Sequence, residues 1–273
     1  MSKKLILAPH FWFVTIANWR KSRAVSFSFA AKSAGLALFA FFSAQTAGAY
    51  DRGMLAEYND LYKNGSYQAA LEGYQEITGK EAYNPYAFYN AGNAYFRMDK
   101  TGLAILNYGK AFRLNPRDVD IRANLEFALK HTGQIFMPEG MPKILHYLYY
   151  FFSDRELKAA ATILWWLTCL LFSFYALKPC VQEKLRGLIL VTALVFGGTL
   201  LWLAARDSSP FTNAAVITAE GTTPLMSGPG DTFKTYATIP EARLVKILDE
   251  SDDVYYEIGI PREGIKGWVK KTS

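Results

Sequence analysis

Histidine, cysteine and paired carboxylates are where a chain would carry catalysis or a metal, and here they are scattered. His10, His131 and His146 lie far apart, and His146 has no second His or carboxylate at the spacing that puts two ligands on one helical face. Cys169 sits inside an apolar run and Cys180 in a basic loop, so outside those segments there is no Cys-based metal site and no disulfide framework. Neither a Gly-x-Ser-x-Gly elbow nor a phosphate-binding Gly-rich loop occurs. Asp252-Asp253 is the clearest carboxylate pair, and its place in a turn suits solvated acids. This inventory points to recognition by surfaces rather than to an enzyme, with no cofactor or metal expected.

The surfaces must be positioned by the segments around two apolar runs. Ala159–Leu177 and Gly187–Ala205 each run 19 residues without a charged side chain. As helices they would be about 28 Å long, close to the hydrocarbon thickness of a bilayer. The expectation is a transmembrane helical hairpin, residues 159–177 and 187–205, joined by the loop 178–186. That loop carries three bases and one acid, which the positive-inside rule assigns to the cytoplasm. The segments before and after the hairpin then share the extracytoplasmic side.

Residues 1–50 hold six bases and no acid, equal to the whole net charge of +6. The remainder lacks the basic face that nucleic-acid binding needs. An apolar core at Ala34–Phe42 followed by Ala47-Gly48-Ala49 reads as an export signal occupying residues 1–49, cut after Ala49.

Residues 85–118 resemble one 34-residue tetratricopeptide repeat through Phe88, Gly92, Tyr95, Ala104, Tyr108, Ala111 and Pro116. A weaker copy in residues 51–83 has Gly65, Tyr67, Ala70, Tyr74 and Ile77 in equivalent places, and departs at Tyr58, where a small residue is usual. Val119–Lys130 reads as a capping helix, so residues 50–133 are expected to form two repeats and a cap. By the repeat's spacing, Asn59, Tyr62, Lys63, Tyr89, Asn93, Phe96 and Arg97 would line a groove offering amide and cationic groups to a peptide carboxylate. The alternative is that these are simply the residues common at those positions. Residues 134–158, rich in Tyr and Phe, suit a juxtamembrane segment at the headgroup level, with His146 as an interfacial polar residue.

Residues 206–273 switch to short β-patterned runs, four or five strands in about 60 residues. Ser227-Gly-Pro followed by Gly267-Trp-Val269 resembles a bacterial SH3-like (SH3b) domain, a small all-β barrel. In that family the Trp ring packs into the barrel. Met226, Ser227, Tyr255, Tyr256 and Trp268 are the candidate binding residues, with Trp268 equally a candidate for the core.

The order of parts (signal, helical repeat, hairpin, SH3-like barrel) and the stretch Leu114–Ala128 resemble the BatE family of the bacterial aerotolerance (Bat) operons. The fold class expected is a multidomain membrane protein: an all-α tetratricopeptide-like repeat, a transmembrane hairpin and a small all-β barrel. The resemblance implies a bacterial inner (cytoplasmic) membrane location, von Willebrand A-type membrane proteins as partners and, indirectly, a MoxR-type AAA+ ATPase. The role it implies is a non-enzymatic scaffold in envelope or oxidative-stress tolerance. The alternative is a peptidoglycan-binding or wall-sensing protein that uses its SH3-like domain.

Overall fold

A computed structural model describes residues 52–137, 140–207, 214–260 and 263–271, and the export-signal reading of residues 1–49 lies outside them. Five helices come first: α1 (Arg52–Lys63), α2 (Tyr67–Lys80), α3 (Pro85–Arg97), α4 (Thr101–Leu114) and α5 (Val119–His131). Local chemistry sets their starts. The Asn84 side chain accepts from the backbone N–H of Tyr86 and Ala87, with Pro85 supplying a preset φ at the first turn, and Asp118 caps α5 in the same way through Asp120 and Ile121.

Their stops recur every 34 residues. Gly65, Asp99 and Gly133 all have positive φ, at 81°, 61° and 69°. Each donates to the carbonyl three residues back, on Tyr62, Phe96 and Lys130. The next residue in each case, Ser66, Lys100 or Gln134, donates to the carbonyl five back. That is the Schellman termination, three times in register. Helix α5 is therefore the third member of the α1, α3, α5 series, where the sequence suggested only a cap.

Helix pairs approach where glycine permits it. A Cβ on Gly92 would lie 2.6 Å from the Tyr108 ring, and one on Gly73 would lie 2.3 Å from the Tyr58 ring. The large residue at Tyr58, a departure from the repeat pattern, is thus accommodated by a missing side chain on the facing helix.

After the short helix α6 (Lys143–Tyr149) come α7 (Asp154–Leu177) and α8 (Gln182–Asp207), packed side by side. Both are long and apolar enough to cross a membrane. Their hydroxyls are satisfied internally, Thr168, Ser173 and Thr199 donating to carbonyls four residues back. Helix α7 begins five residues before the expected span because Ser153 and Glu156 form a capping box. The expected nine-residue loop 178–186 is shorter, reduced to Lys178 and the 3-10 turn Pro179–Val181. The helix formers after Pro179 propagate α8 from Gln182, with Glu183 favourably placed in its first turn.

At the other end of this hairpin, Arg206 is 2% exposed. Its guanidinium lies 3.0 Å from the Asp154 carboxylate, donates to the Phe152 carbonyl and sits 5.2 Å from the Tyr150 ring centre. Asp154 is also 3.5 Å from Arg113 of α4, and Glu156 is 2.6 Å from Arg117. Ion pairs thus tie the hairpin to the helical part.

Six antiparallel strands follow: β1 (Ala214–Val216), β2 (Thr222–Met226), β3 (Thr235–Pro240), β4 (Leu244–Asp249), β5 (Tyr255–Ile260) and β6 (Ile265–Lys270), in the sheet order β1-β4-β5-β6-β2-β3. Alternation turns Ile258 and Ile260 inward with Leu225, Ile239, Val245 and Val269 to form the core. The sequence suggested four or five strands and missed β2 and β3. Their prolines are tolerated because β3 is an edge strand and β2 pairs with β6 at Met226 alone.

The helical part and the sheet belong to one compact unit, Asp51–Ser273. Ala242 is buried in the apolar cluster of α4 and α5, with Val216 and Leu244 packed against it. The Gln134 side chain donates to the Ala242 carbonyl (2.7 Å) and accepts from the Leu244 N–H (2.9 Å). The first turn of α4 lacks a side-chain cap of its own; the Glu241 carboxylate accepts its Gly102 N–H at 2.9 Å.

Candidate functional site

Every 34 residues the same polar contact is made along α1, α3 and α5. The Asn59 Oδ1 accepts from the Tyr74 hydroxyl and from the Asn90 amide, both at 2.8 Å. One repeat later, Asn93 Oδ1 accepts from the Tyr108 hydroxyl (2.7 Å) and from the Asn124 amide (3.0 Å). Asn124 donates in addition to the Tyr89 hydroxyl at 3.0 Å.

Burial pushes the Tyr74 and Tyr108 hydroxyls well above the usual phenol range, so both stay protonated and act as donors. The orientation of each carboxamide follows. With both lone pairs of Oδ1 occupied, Asn59 and Asn93 have only their N–H2 groups to offer a ligand.

A recess of 260 Å³ opens over this ladder, lined by Asn59, Tyr62, Lys63, Tyr74, Asn90 and Asn93. Of the groove residues read from the sequence, Asn59, Tyr62, Lys63 and Asn93 therefore meet in one place. Tyr89 joins them through Asn124, its hydroxyl raised by burial above its ordinary value. Phe96 continues the face onto α5, lying 5.7 Å from the Phe127 ring and 6.0 Å from His131.

The two cations differ. Lys63 is exposed and paired with Asp60 at 2.8 Å, while the Arg97 guanidinium lies 5.0 Å from the Tyr67 ring centre with no acid in ion-pair contact among the described residues. A cationic clamp for a carboxylate is thus only half assembled; the amide donors are its better-ordered part. Sequence reasoning missed Tyr74, Asn90 and Asn124 as groove residues. Their signal was present, since Asn90 and Asn124 repeat the 34-residue spacing of Asn59 and Asn93.

On the sheet the five candidates divide. Met226 and Trp268 are register partners, and Trp268 faces Glu257 across β5 and β6. Trp268 is half-buried on the outer side of the sheet, not in its core. Val269 takes the inward place, and Gly267 does too, where a Cβ would meet the Tyr236 hydroxyl at 2.6 Å and the Met226 carbonyl at 2.7 Å. Tyr255 shares the outer side and donates to Asp231 at 2.6 Å, a bond that raises its pKa. Tyr256 turns the other way and packs against the core, with Lys271 4.6 Å from its ring centre. Ser227 is exposed in the turn after β2. Met226, Tyr255 and Trp268 thus share a side, and Tyr256 does not belong with them.

No group of three or more His, Cys, Asp or Glu placed to hold a metal occurs among the described residues. Compared with models of known protein families the chain matches none, and compared with curated proteins it likewise matches none.

Proposed function

We propose that this chain is a non-enzymatic, membrane-anchored scaffold of BatE type, whose helical part is a short tetratricopeptide solenoid and whose sheet is an SH3-like domain. The observation that carries this reading is the repeated Asn–Tyr–Asn ladder. It fixes amide donors at 34-residue intervals along one face, the arrangement suited to the carbonyls of an extended polypeptide. The bonds from Gln134 and Gly102 to the sheet segment support a single receptor surface, since groove and sheet are held in one body. The same bonds join segments before and after the hairpin, which supports placing both on one side of a bacterial inner membrane. The partners that fit are extracytoplasmic parts of neighbouring membrane proteins of the von Willebrand A type, with a MoxR-type ATPase acting indirectly.

Purification of the chain from native membranes in mild detergent tests this. Co-recovery of such a membrane protein, lost when Arg97 and Lys63 are replaced by Ala, is the expected result; recovery of no envelope protein refutes the scaffold. In the same cells a membrane-impermeant thiol reagent is expected to leave Cys180 unlabelled until permeabilisation.

One observation favours a second reading. Trp268, half-exposed on the sheet beside Glu257 and on the same side as the buried Tyr255, offers a ring face on which a sugar would stack. Retention on purified sacculi, abolished by Trp268→Ala, would favour wall binding over the scaffold.

A further inference from the structure

His146 is the buried one of the two imidazoles among the described residues. It is 3% exposed and packs edge-on against Phe136 and tilted against Tyr150, with ring centres 4.8 and 4.9 Å away. Its Nδ1 lies 3.1 Å from an Arg122 guanidinium nitrogen of α5. A guanidinium can only donate, so Nδ1 must be the acceptor and the ring must be neutral. The proton then sits on Nε2, which is buried without a partner.

No compensating acid is at hand. Arg122 donates otherwise to the Pro116 carbonyl, and its guanidinium lies 5.3–5.9 Å from the Phe112, Phe136 and Tyr147 ring centres. Glu126 acts on it only at a distance. Beyond Tyr150 lies Arg206, whose charge is already met by Asp154. No carboxylate is within ion-pair distance of His146 or Arg122 among the described residues. A proton added to this ring would set two cations in contact inside an apolar pocket.

The helix that carries His146 is short and meets the helical part through a few rings grouped around His146 and Arg122. Helix α6 spans seven residues, too few to persist alone. Its Ile144, Leu145 and Leu148 point outward, exposed by 62%, 55% and 51%. Its attachments are His146, Tyr147 under the Arg122 guanidinium, Tyr149 and the buried Tyr150 against the apolar cluster of α4 and α5, and a bond from Trp202 to the Tyr149 carbonyl.

We propose that His146 is an acid-sensitive latch whose protonation releases the segment Lys143–Tyr150 from α5. Release would add the face now packed on the helical part to the outward face formed by Ile144, Leu145 and Leu148. The link between helical part and hairpin would then rest on the Arg113–Asp154–Arg206 and Arg117–Glu156 pairs and on Arg155 against the Tyr83 ring. The direction follows from linkage. Burial, then Arg122, lowers the His146 pKa from 6.5 to about 4. The released state therefore binds the proton more tightly, and docking is strongest above pH 6.5 and weakens as pH falls towards 4. Between pH 7.5 and pH 5 this amounts to about a thirtyfold loss in the docking equilibrium.

The test is hydrogen exchange of the full chain in detergent micelles, corrected for intrinsic rates, at pH 7.5, 6 and 5. Protection of residues 143–150 is expected to fall about thirtyfold at pH 5 while that of α2 holds, and His146→Gln, neutral throughout and able to accept from Arg122, is expected to remove the pH dependence. Unchanged protection in the wild type, an equal fall in His146→Gln, or an equal fall in α2 would overturn the latch. Should the variant fail to fold, the His146 ring titration followed by NMR decides instead. A midpoint far below 6.5, coinciding with loss of protection at residues 143–150, supports the proposal; a midpoint near 6.5 with the segment still protected overturns it.

Discussion

Gly102 and Gly109 lie on the same helix, α4, and offer a comparison in which the contact between helical part and sheet sets the sign of the effect. Replacing Gly by Ala within a helix adds about 1 kcal/mol of stability from backbone propensity. At Gly109 nothing lies within 4 Å of the added Cβ, so Gly109→Ala should realise that gain. At Gly102 the Cβ would stand 2.6 Å from the Ile217 carbonyl oxygen and 3.2 Å from both Cγ and Oε1 of Glu241. The near atom is backbone, so helix and sheet must separate. Overpacking of this kind costs about 1–3 kcal/mol, and strain on the Glu241 bond to the Gly102 N–H adds to it. After the propensity gain is subtracted, Gly102→Ala is expected to lose about 1–2 kcal/mol. The two variants then differ by about 2–3 kcal/mol in opposite directions, or roughly 5–10 °C in melting temperature for a chain of this size. Thermal unfolding of the full chain in detergent, followed by far-ultraviolet circular dichroism, measures it. Equal stabilisation by both substitutions would mean that the sheet does not rest on α4, and the single-receptor argument would fail with it.

Two further expectations concern the hairpin and the groove. Arg206→Met strips a buried partner from Asp154 and leaves the Phe152 carbonyl short of a donor, so it should cost about 3 kcal/mol in a thermal melt. Adding Asp154→Leu should restore part of that loss, and a double variant no better than Arg206→Met would refute the pairing. Asn93→Ala orphans the buried Tyr108 hydroxyl and should destabilise by about 1–3 kcal/mol, whereas the exposed Arg97→Ala should leave the melt within about 0.5 kcal/mol. Loss of partner binding in Arg97→Ala without a change in the melt would assign that cation to the groove.

Much of the helical part was legible because its punctuation is local. Pro85, Gly92 and Pro116 set starts, close approaches and stops from the nearest few residues, and the two apolar runs declare their own length. The third phase of the repeat was hidden because Leu125 and Phe127 stand on α5 where Ala91 and Asn93 stand on α3. The Asp118 cap and Gly133 termination preserve the backbone while the face changes chemistry. The hydrogen-bonded ladder was half legible: spacing marked Asn59 and Asn93, but their bonds to Asn90 and Asn124 span 31 residues and need packed helices to exist. Trp268 stayed open between surface and core because the motif suggested burial, whereas alternation along β6 assigns Val269 and Gly267 to the inside. Strands β2 and β3 were missed because Pro224 and Pro240 argue against a ladder unless the neighbouring edge is known to be free.

The contacts that join helices to sheet were not legible at all, and the repeat itself explains where they fall. After the first two Schellman turns the chain enters a second helix at once, at Tyr67 and at Thr101. After the third, Gln134 occupies the position of Ser66 and Lys100, but no helix begins there. The outer face of α4 and α5, which the second helix of the third pair would have covered, would be left open. It is met instead by the corner between β3 and β4: Ala242 enters the apolar cluster, and Gln134 supplies from its side chain the donor and acceptor that a neighbouring strand would have given Ala242 and Leu244. A short stack of helix pairs lacks the stacking that stabilises longer repeat arrays, and this chain closes the open end with its own later segment. Removing the sheet should therefore destabilise α4 and α5 before α1 and α2, an order that hydrogen exchange on a chain truncated after Asp207 would read directly.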